Sequence, residues 1–481
     1  MSLIKVDNIE STGGTVSILS NLNLQTVPAG TSVNNLGVDA SGNIVIGSGG
    51  GGSSFWSAST GTNAIVVNNS DSVASGTSSL AEGSYSIAGG DYSHAEGYFS
   101  QAIGTYSHAE GAGSIAGGYA SHSEGNATLA SGGFGSHAEG SQTTASGESS
   151  HAEGSSTTAI GFASHAEGDN TIASGVSSHA EGTLTQAIGT YSHAEGLSTT
   201  ASGFYAHSEG YITTASGQAS HAEGRNTKAF GLQAHAEGLN TTASGSRSHS
   251  EGNTTKALGL SSHSEGNSTI ASGNQSHAEG NFTTALGVSS HAEGESTIAF
   301  GNYSHAEGYL TTAIGQGSHA EGGQYFNNSI PLNGGTAIGD SSHAEGVGTI
   351  ASGNTSHAQG NFTRAGGVAS HSEGNYTTAI GDYSHAEGGN TTAIGQSSHA
   401  GGAASISEGN YSFVHSFQST VSGLRSAVLG GQNINATEDD TVYMPKVELD
   451  ETGQGIIMKS PDGTRYKITI ANGGTLNIAL A

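Results

Sequence analysis

A five-residue element, SHAEG, first seen at Ser93-His94-Ala95-Glu96-Gly97, returns with small variations along most of this 481-residue chain. Of the 23 His, all but His415 sit in that element, and successive copies are 14 residues apart almost throughout. One extra residue falls between His122 and His137, in SGGFGSHAEG, and ten extra fall between His319 and His343, around GGQYFNNSIPLNGG. Upstream, SSLAEG has Leu80 where the His would stand and keeps Glu82. A period this short excludes an ordinary single-core globule, because each unit can bury itself only against its neighbours in the series.

Each unit divides into two halves of seven residues, such as SHAEGSS and TTAIGFA, and each half reads as a short strand ending at Gly. Side chains alternate across a strand, so the parity of the pattern assigns the faces. The residues flanking each His are small, Ser or Ala before it (Ser93, Ala206) and Ala or Ser after it (Ala95, Ser208), whereas His and Glu share the opposite parity. The small side chains therefore form the tight interior. In the second half Thr157 and Ala159 point inward, and the outward pair drifts: Thr158 and Ile160, Ile172 and Ser174, Lys228 and Phe230, Lys256 and Leu258. The recurrent Gly suits a corner needing positive φ or close backbone approach. The expected fold is all-β, a parallel β-roll solenoid with two short strands per coil.

Composition limits how such a solenoid is stabilised. With 79 Gly, 4 Pro, no Cys and only 33% hydrophobic residues, an interior of Ala, Ser and Thr buries little apolar area against the cost of ordering the backbone. Lengthwise association of coils is the expected remedy. The formal charge of −28 and the lack of a basic patch argue against nucleic acid and anionic membranes as partners. No run of about eighteen apolar residues occurs, so membrane insertion is not expected, and the first residues, MSLIKVDNIESTGGTVSILSNLNLQTV, read as a mature N-terminus.

The alternation of Ser-x-Ala-x-Gly and Thr-x-Ala-x-Gly halves resembles the head repeats of YadA-like trimeric autotransporter adhesins. The resemblance covers about residues 72–432 and ends in SAVLGGQNINATEDDTVYMPKVEL. It implies a left-handed parallel β-roll and a homotrimer. A secretion signal, a long heptad stalk and a membrane β-barrel pattern are missing from the sequence, and similar rolls occur in fibres of tailed phages and related particles. The segment GIIMKSPDGTRYKITIANGGTLNIA looks like the small β-modules that finish such fibres.

The expected organisation is an N-terminal β attachment module at 1–46, a Gly/Ser-rich hinge and lead-in at 47–71, the roll at 72–432 with an insertion at 323–335, and a C-terminal β module at 433–481. Within the first, NNLGVDASGNIVIG reads as a hairpin turning at DASGN; within the last, turns fall at DETGQG, SPDG and ANGG. The insertion carries Tyr325, Phe326, Ile330 and Leu332, a candidate recognition loop held by a rigid scaffold.

Ser, His and Glu within five residues invite a hydrolase reading, which geometry opposes, since Ser93 and His94 point to opposite faces. No HExxH, Walker or EF-hand pattern is present, and one His per coil without Cys does not make a closed tetrahedral metal site, so neither a cofactor nor a resident metal is expected. The near-constant pair, including His94/Glu96, His108/Glu110, His151/Glu153, His165/Glu167, His179/Glu181 and His193/Glu195, is expected to be the inter-subunit face of a trimer. A solvent-facing strand should drift, and one docked on its own copy should not. The competing arrangement puts the Ile/Leu/Phe column of the second strand on the axis and His/Glu outside. Lys228, Lys256 and Arg364 favour the first arrangement; Ile298 and Phe300 favour the second.

The function expected from these features is that of a structural and adhesive fibre on a virion or phage-like particle, not an enzyme. The N-terminal module would meet a baseplate, tail or capsid protein, and the C-terminal module a host surface receptor or glycan. The alternatives are a bacterial cell-surface adhesin secreted by other machinery and a carbohydrate-active fibre.

Overall fold

The computed structural model describes residues 36–38, 44–46, 56–67, 71–326, 330–448, 455–470 and 474–481. Strands and turns account for all regular structure among these residues. The chain divides into two compact units, Met1–Ser155 and Ser156–Ala481.

In the first unit, strands carrying His pair in parallel with the equivalent strand one coil on. His108–Ala112 pairs with His122–Asn126 residue for residue: His108 to His122, Ala109 to Ser123, Glu110 to Glu124, Gly111 to Gly125. The short strands between them form a second parallel sheet, as when Ile115–Ala116 pairs with Leu129–Ala130. The pairing begins at Ile65 and Leu80, and Ile65–Val67 is itself covered by the antiparallel strand Trp56–Ala58. Upstream, Leu36–Val38 and Ile44–Ile46 pair antiparallel; DASGN between them, the rest of residues 1–46 and the Gly/Ser run at 47–54 lie outside the described residues.

The second unit repeats the arrangement. His165–Asp169 pairs in parallel with His179–Thr183, and Ile172–Ala173 with Gln186–Ala187. Parallel pairing ends at Ala427 with Val442. Beyond it lies a three-stranded antiparallel sheet, Ile456–Lys459, Arg465–Ile470 and Leu476–Leu480, turning at SPDG as the sequence indicates; most of the expected turns at DETGQG and ANGG lies outside the described residues.

The interior follows from parity. Ala166, Ala173, Ala180 and Ala187 are fully buried, and Ser164, Thr171, Ser178 and Thr185 are buried beside them. The hydroxyls are handled locally. Ser164 donates to the carbonyl of Gly161 at 2.8 Å and Ser178 to that of Gly175 at 2.7 Å, which satisfies a corner carbonyl in each coil. Where Ser replaces Ala after the His, it pairs across the interior with the Thr five residues on: Ser123 with Thr128, Ser208 with Thr213, Ser250 with Thr255, Ser264 with Thr269 and Ser372 with Thr377, all at 2.7–2.8 Å. Where Ala stands there, the buried hydroxyls of Thr185 and Thr283 have no partner, while that of Thr391 donates to the carbonyl of Glu387 at 3.0 Å. Interiors grow bulkier toward the ends, with Val66 in the first unit and Val414, Val421 and Val428 in the second.

Two corners per coil hold a non-glycine residue in the left-handed region, for example Ser177 at φ 49 and Leu184 at φ 57, each donating its N–H to a carbonyl of the preceding coil. Two Gly in each coil are dictated by space. Gly182 has φ +106 and a Cβ there would lie 2.2 Å from the carbonyl oxygen of Gly196; at Gly189 a Cβ would lie 2.0 Å from that of Gly203. The two irregular spacings leave both sheets in register. His122 still meets His137, the added residue being taken up at the Gly133–Gly135 corner, where a side chain would find open space. His319 still meets His343, and the ten additional residues leave as a hairpin, Gln324–Phe326 with Ile330–Leu332.

Candidate functional site

The parity that buries Ala and Ser lifts His and Glu to the outside of one sheet, where in-register pairing stacks like on like. In the first unit His94 lies over His108 and His108 over His122 with ring centroids 4.8 Å apart; in the second unit His179, His193, His207 and His221 stack at 4.7–4.9 Å with interplanar angles of 2–7°. A parallel column of carboxylates stands beside the rings. His179 Nε2 is 3.8 Å from Glu181 Oε2, and His193 Nε2 is 3.9 Å from Glu181 Oε1 and 3.7 Å from Glu195 Oε2, so each carboxylate sits between its own ring and the next. The same pattern holds for His94, Glu96, His108 and Glu110 at 3.8–4.0 Å, and His165 lies 3.8 Å from Glu167. His151 lies 3.8 Å from Glu153 and 3.9 Å from Glu139. At His399 the approach to Glu387 shortens to a 3.2 Å hydrogen bond. In the first unit Leu80 pairs with His94, and in the second Phe413 packs on His399 at 4.7 Å, an apolar residue taking the place of the next His in each case.

Along most of the column the separations exceed hydrogen-bond length, and the Nε2 atoms of His94, His108, His193 and His235 are shielded without a hydrogen-bond partner. Burial and the neighbouring rings hold His108, His122, His193 and His221 below the ordinary imidazole value, so these rings are neutral at pH 7. The carboxyls solve their mutual repulsion differently. Hydrogen bonding to the carboxylates of Glu124 and Glu96 raises Glu110 to about 7, and bonding to Glu153 and Glu124 raises Glu139 to about 8. The corresponding bonds from Glu110 and Glu139 lower Glu124. The second unit alternates likewise, with Glu209 and Glu237 raised to about 7 and Glu181, Glu223 and Glu251 lowered. At these positions an acid that holds its proton more tightly stands next to one that releases it more readily. Gln359 shows the arrangement in neutral form, its amide nitrogen donating to Glu345 Oε1 of the preceding coil at 3.3 Å.

The donor set of two imidazoles and a carboxylate suits zinc in kind. In His179, Glu181 and His193, however, the Nε2 atoms lie 3.8 and 3.9 Å from the carboxylate oxygens, wider than the roughly 3.4 Å edge of a tetrahedron with zinc bonds of about 2.1 Å. The Ser of each element is turned away from this chemistry: Ser93 is buried on the opposite face and donates to the carbonyl of Gly90 at 2.7 Å.

The second wall offers a contrast. Lys228, Lys256 and Arg364 are exposed there, as are Ile298 and Phe300. Tyr325, Phe326, Ile330 and Leu332 lie on the hairpin described above, their side chains falling outside the described residues. Sequence reasoning missed the open recess at its base, about 400 Å3 between Asn333, Thr336, Gly348, Ile350 and Phe362, where Gly348 leaves room for the Phe362 ring. It also missed the exposed aromatic rows at the corners of the first unit. Tyr85 stacks on Phe99 at 4.7 Å and Tyr92 on Tyr106 at 5.0 Å; the recurrence of aromatics at 14-residue spacing was the available signal.

The profile of the YadA head domain repeat, two copies long, matches residues 68–93, 95–121, 138–164, 166–183, 222–248, 264–290, 278–304, 306–324 and 333–362. No curated protein matches the chain. Such heads belong to adhesin-like surface fibres and are typically trimeric.

Proposed function

Since the chain carries YadA head repeats folded as a parallel β-solenoid, we propose that it is a homotrimeric structural fibre of a virus or phage-like particle that holds an adhesive tip away from the particle surface. The N-terminal module attaches to a baseplate, tail or capsid protein, and the C-terminal module contacts a receptor or glycan on the host. The His/Glu column is the face on which three copies meet. What supports this reading is the column itself: shielded Nε2 atoms without partners, lying 3.7–4.0 Å from the neighbouring carboxylates. A dry contact from a second copy would exclude water from the column and strengthen bonds to those carboxylates. Many copies on one particle would amplify weak receptor contacts through effective concentration.

Immunogold electron microscopy with antibodies to the solenoid tests the assignment. Gold on spokes projecting from particles is the expected result. Gold on the bacterial envelope, with particles unlabelled, would favour the cell-surface adhesin instead.

A further inference from the structure

The C-terminal sheet has two unlike faces. Register places Met458, Ile468, Ile470, Leu476, Ile478 and Leu480 on one side, and Lys459, Arg465, Lys467, Thr469 and Asn477 on the other. The apolar side is uncovered in the single chain, with Ile470 at 73%, Ile478 at 64% and Leu480 at 74% exposure. A three-stranded sheet is stable only when such a face is packed, and contiguous exposed apolar area of this kind marks an interaction surface.

We propose that this face is a self-association clamp, in which the sheets of neighbouring copies pack apolar side to apolar side at the C-terminal end of the fibre. Two observations select a copy of this chain as the occupant. The exposed apolar side runs across all three strands, with Met458 at 55% and Leu476 at 62% exposure beside the residues above, a contiguous patch of the kind that a second copy buries in stable self-association. It carries no charged side chain, so chains of formal charge −28 can meet there without burying like charges. Packing in this sense leaves Lys459, Arg465 and Lys467 on the outward side. The clamp rests on the trimeric reading above only for the number of copies.

The chain has no Cys, so I478C and N477C each introduce a single thiol, one on either side of the same strand. In the purified full-length protein the I478C thiol should react with a bulky maleimide at least about tenfold more slowly than the N477C thiol, and I478D should release the end of the assembly to protease. Equal reactivity in a protein that is trimeric by light scattering would overturn the clamp and leave the fibre standing. Equal reactivity in a monomer would remove both. Protection of the I478C thiol in a monomer would show that the chain covers its own sheet, which also overturns the clamp.

Discussion

The two walls of each coil are made of the same backbone, hydrogen-bonded in the same register, yet one keeps its outward residues for coil after coil and the other does not. On the first, rings stack on their neighbours and carboxyls such as Glu209 are shifted by the carboxyls of the coils on either side, so replacing one residue disturbs three coils. On the second, Thr200, Thr214 and Lys228 follow one another, with Lys228 exposed to solvent. Coupling along a column, rather than the strand itself, is what resists drift.

What the walls share should be the most fragile. Gly182→Ala on the His wall and Gly189→Ala on the other each drive a Cβ into a carbonyl of the next coil, and each should cost about 3 kcal/mol or more in urea unfolding. A loss confined to one of them would show that the walls are not equivalent in backbone. The next largest effect separates them. H193A/H207A/H221A removes three stacked rings and should cost roughly 1 kcal/mol per ring, while T200A/T214A/K228A in the same coils should stay within about 0.5 kcal/mol per site. Equal losses in thermal unfolding would dissolve the distinction.

A pH series sharpens it. Glu110, Glu139, Glu209 and Glu237 keep their protons in the fold up to about 7 to 8, against 4.5 unfolded. Their contribution to stability is whole below 4.5 and fades as pH rises through 7 to 8. The His rings act in the other sense, since values held below 6.5 mean a contribution present above 6.5 and lost as pH falls beneath it. These opposed terms offset one another between 4.5 and 6.5, so the assembly should withstand mild acid, and its melting temperature should fall by a few degrees from pH 6.5 to 9. E139Q/E209Q/E237Q, which copies the amide that the native chain already carries at Gln359, should flatten that fall; an unchanged slope would contradict the raised carboxyl values. The smallest effect lies inside. Ala278→Ser gives Thr283 the partner that Thr269 finds in Ser264 and should be neutral or stabilising by up to about 1 kcal/mol, checked by denaturant midpoint.

Much of this was legible in the residues. The 14-residue period gives the coil, and parity alone places Ala95, Ser93 and Thr157 inside and His94 and Glu96 outside. The added residue near Gly133 and the ten after Gly322 showed as breaks in spacing. The carboxyl shifts did not show, because they depend on carboxyl groups of successive coils meeting, and a sequence displays them 14 residues apart. The left-handed corners were hidden for a different reason: Ser177, Tyr191 and Ile212 adopt positive φ under the hold of the neighbouring coils, although none of these residue types favours it. In the C-terminal sheet the alternation of apolar and basic residues was visible, but which residues share a face was fixed only by the register of three strands.

The central claim, that these coils are stable because three copies meet on the His/Glu wall, is tested most directly by the mass of the purified full-length chain in sedimentation equilibrium at neutral pH. The account predicts three times the 47.5 kDa of one chain, with no dissociation on dilution. A well-folded particle of 47.5 kDa would contradict it.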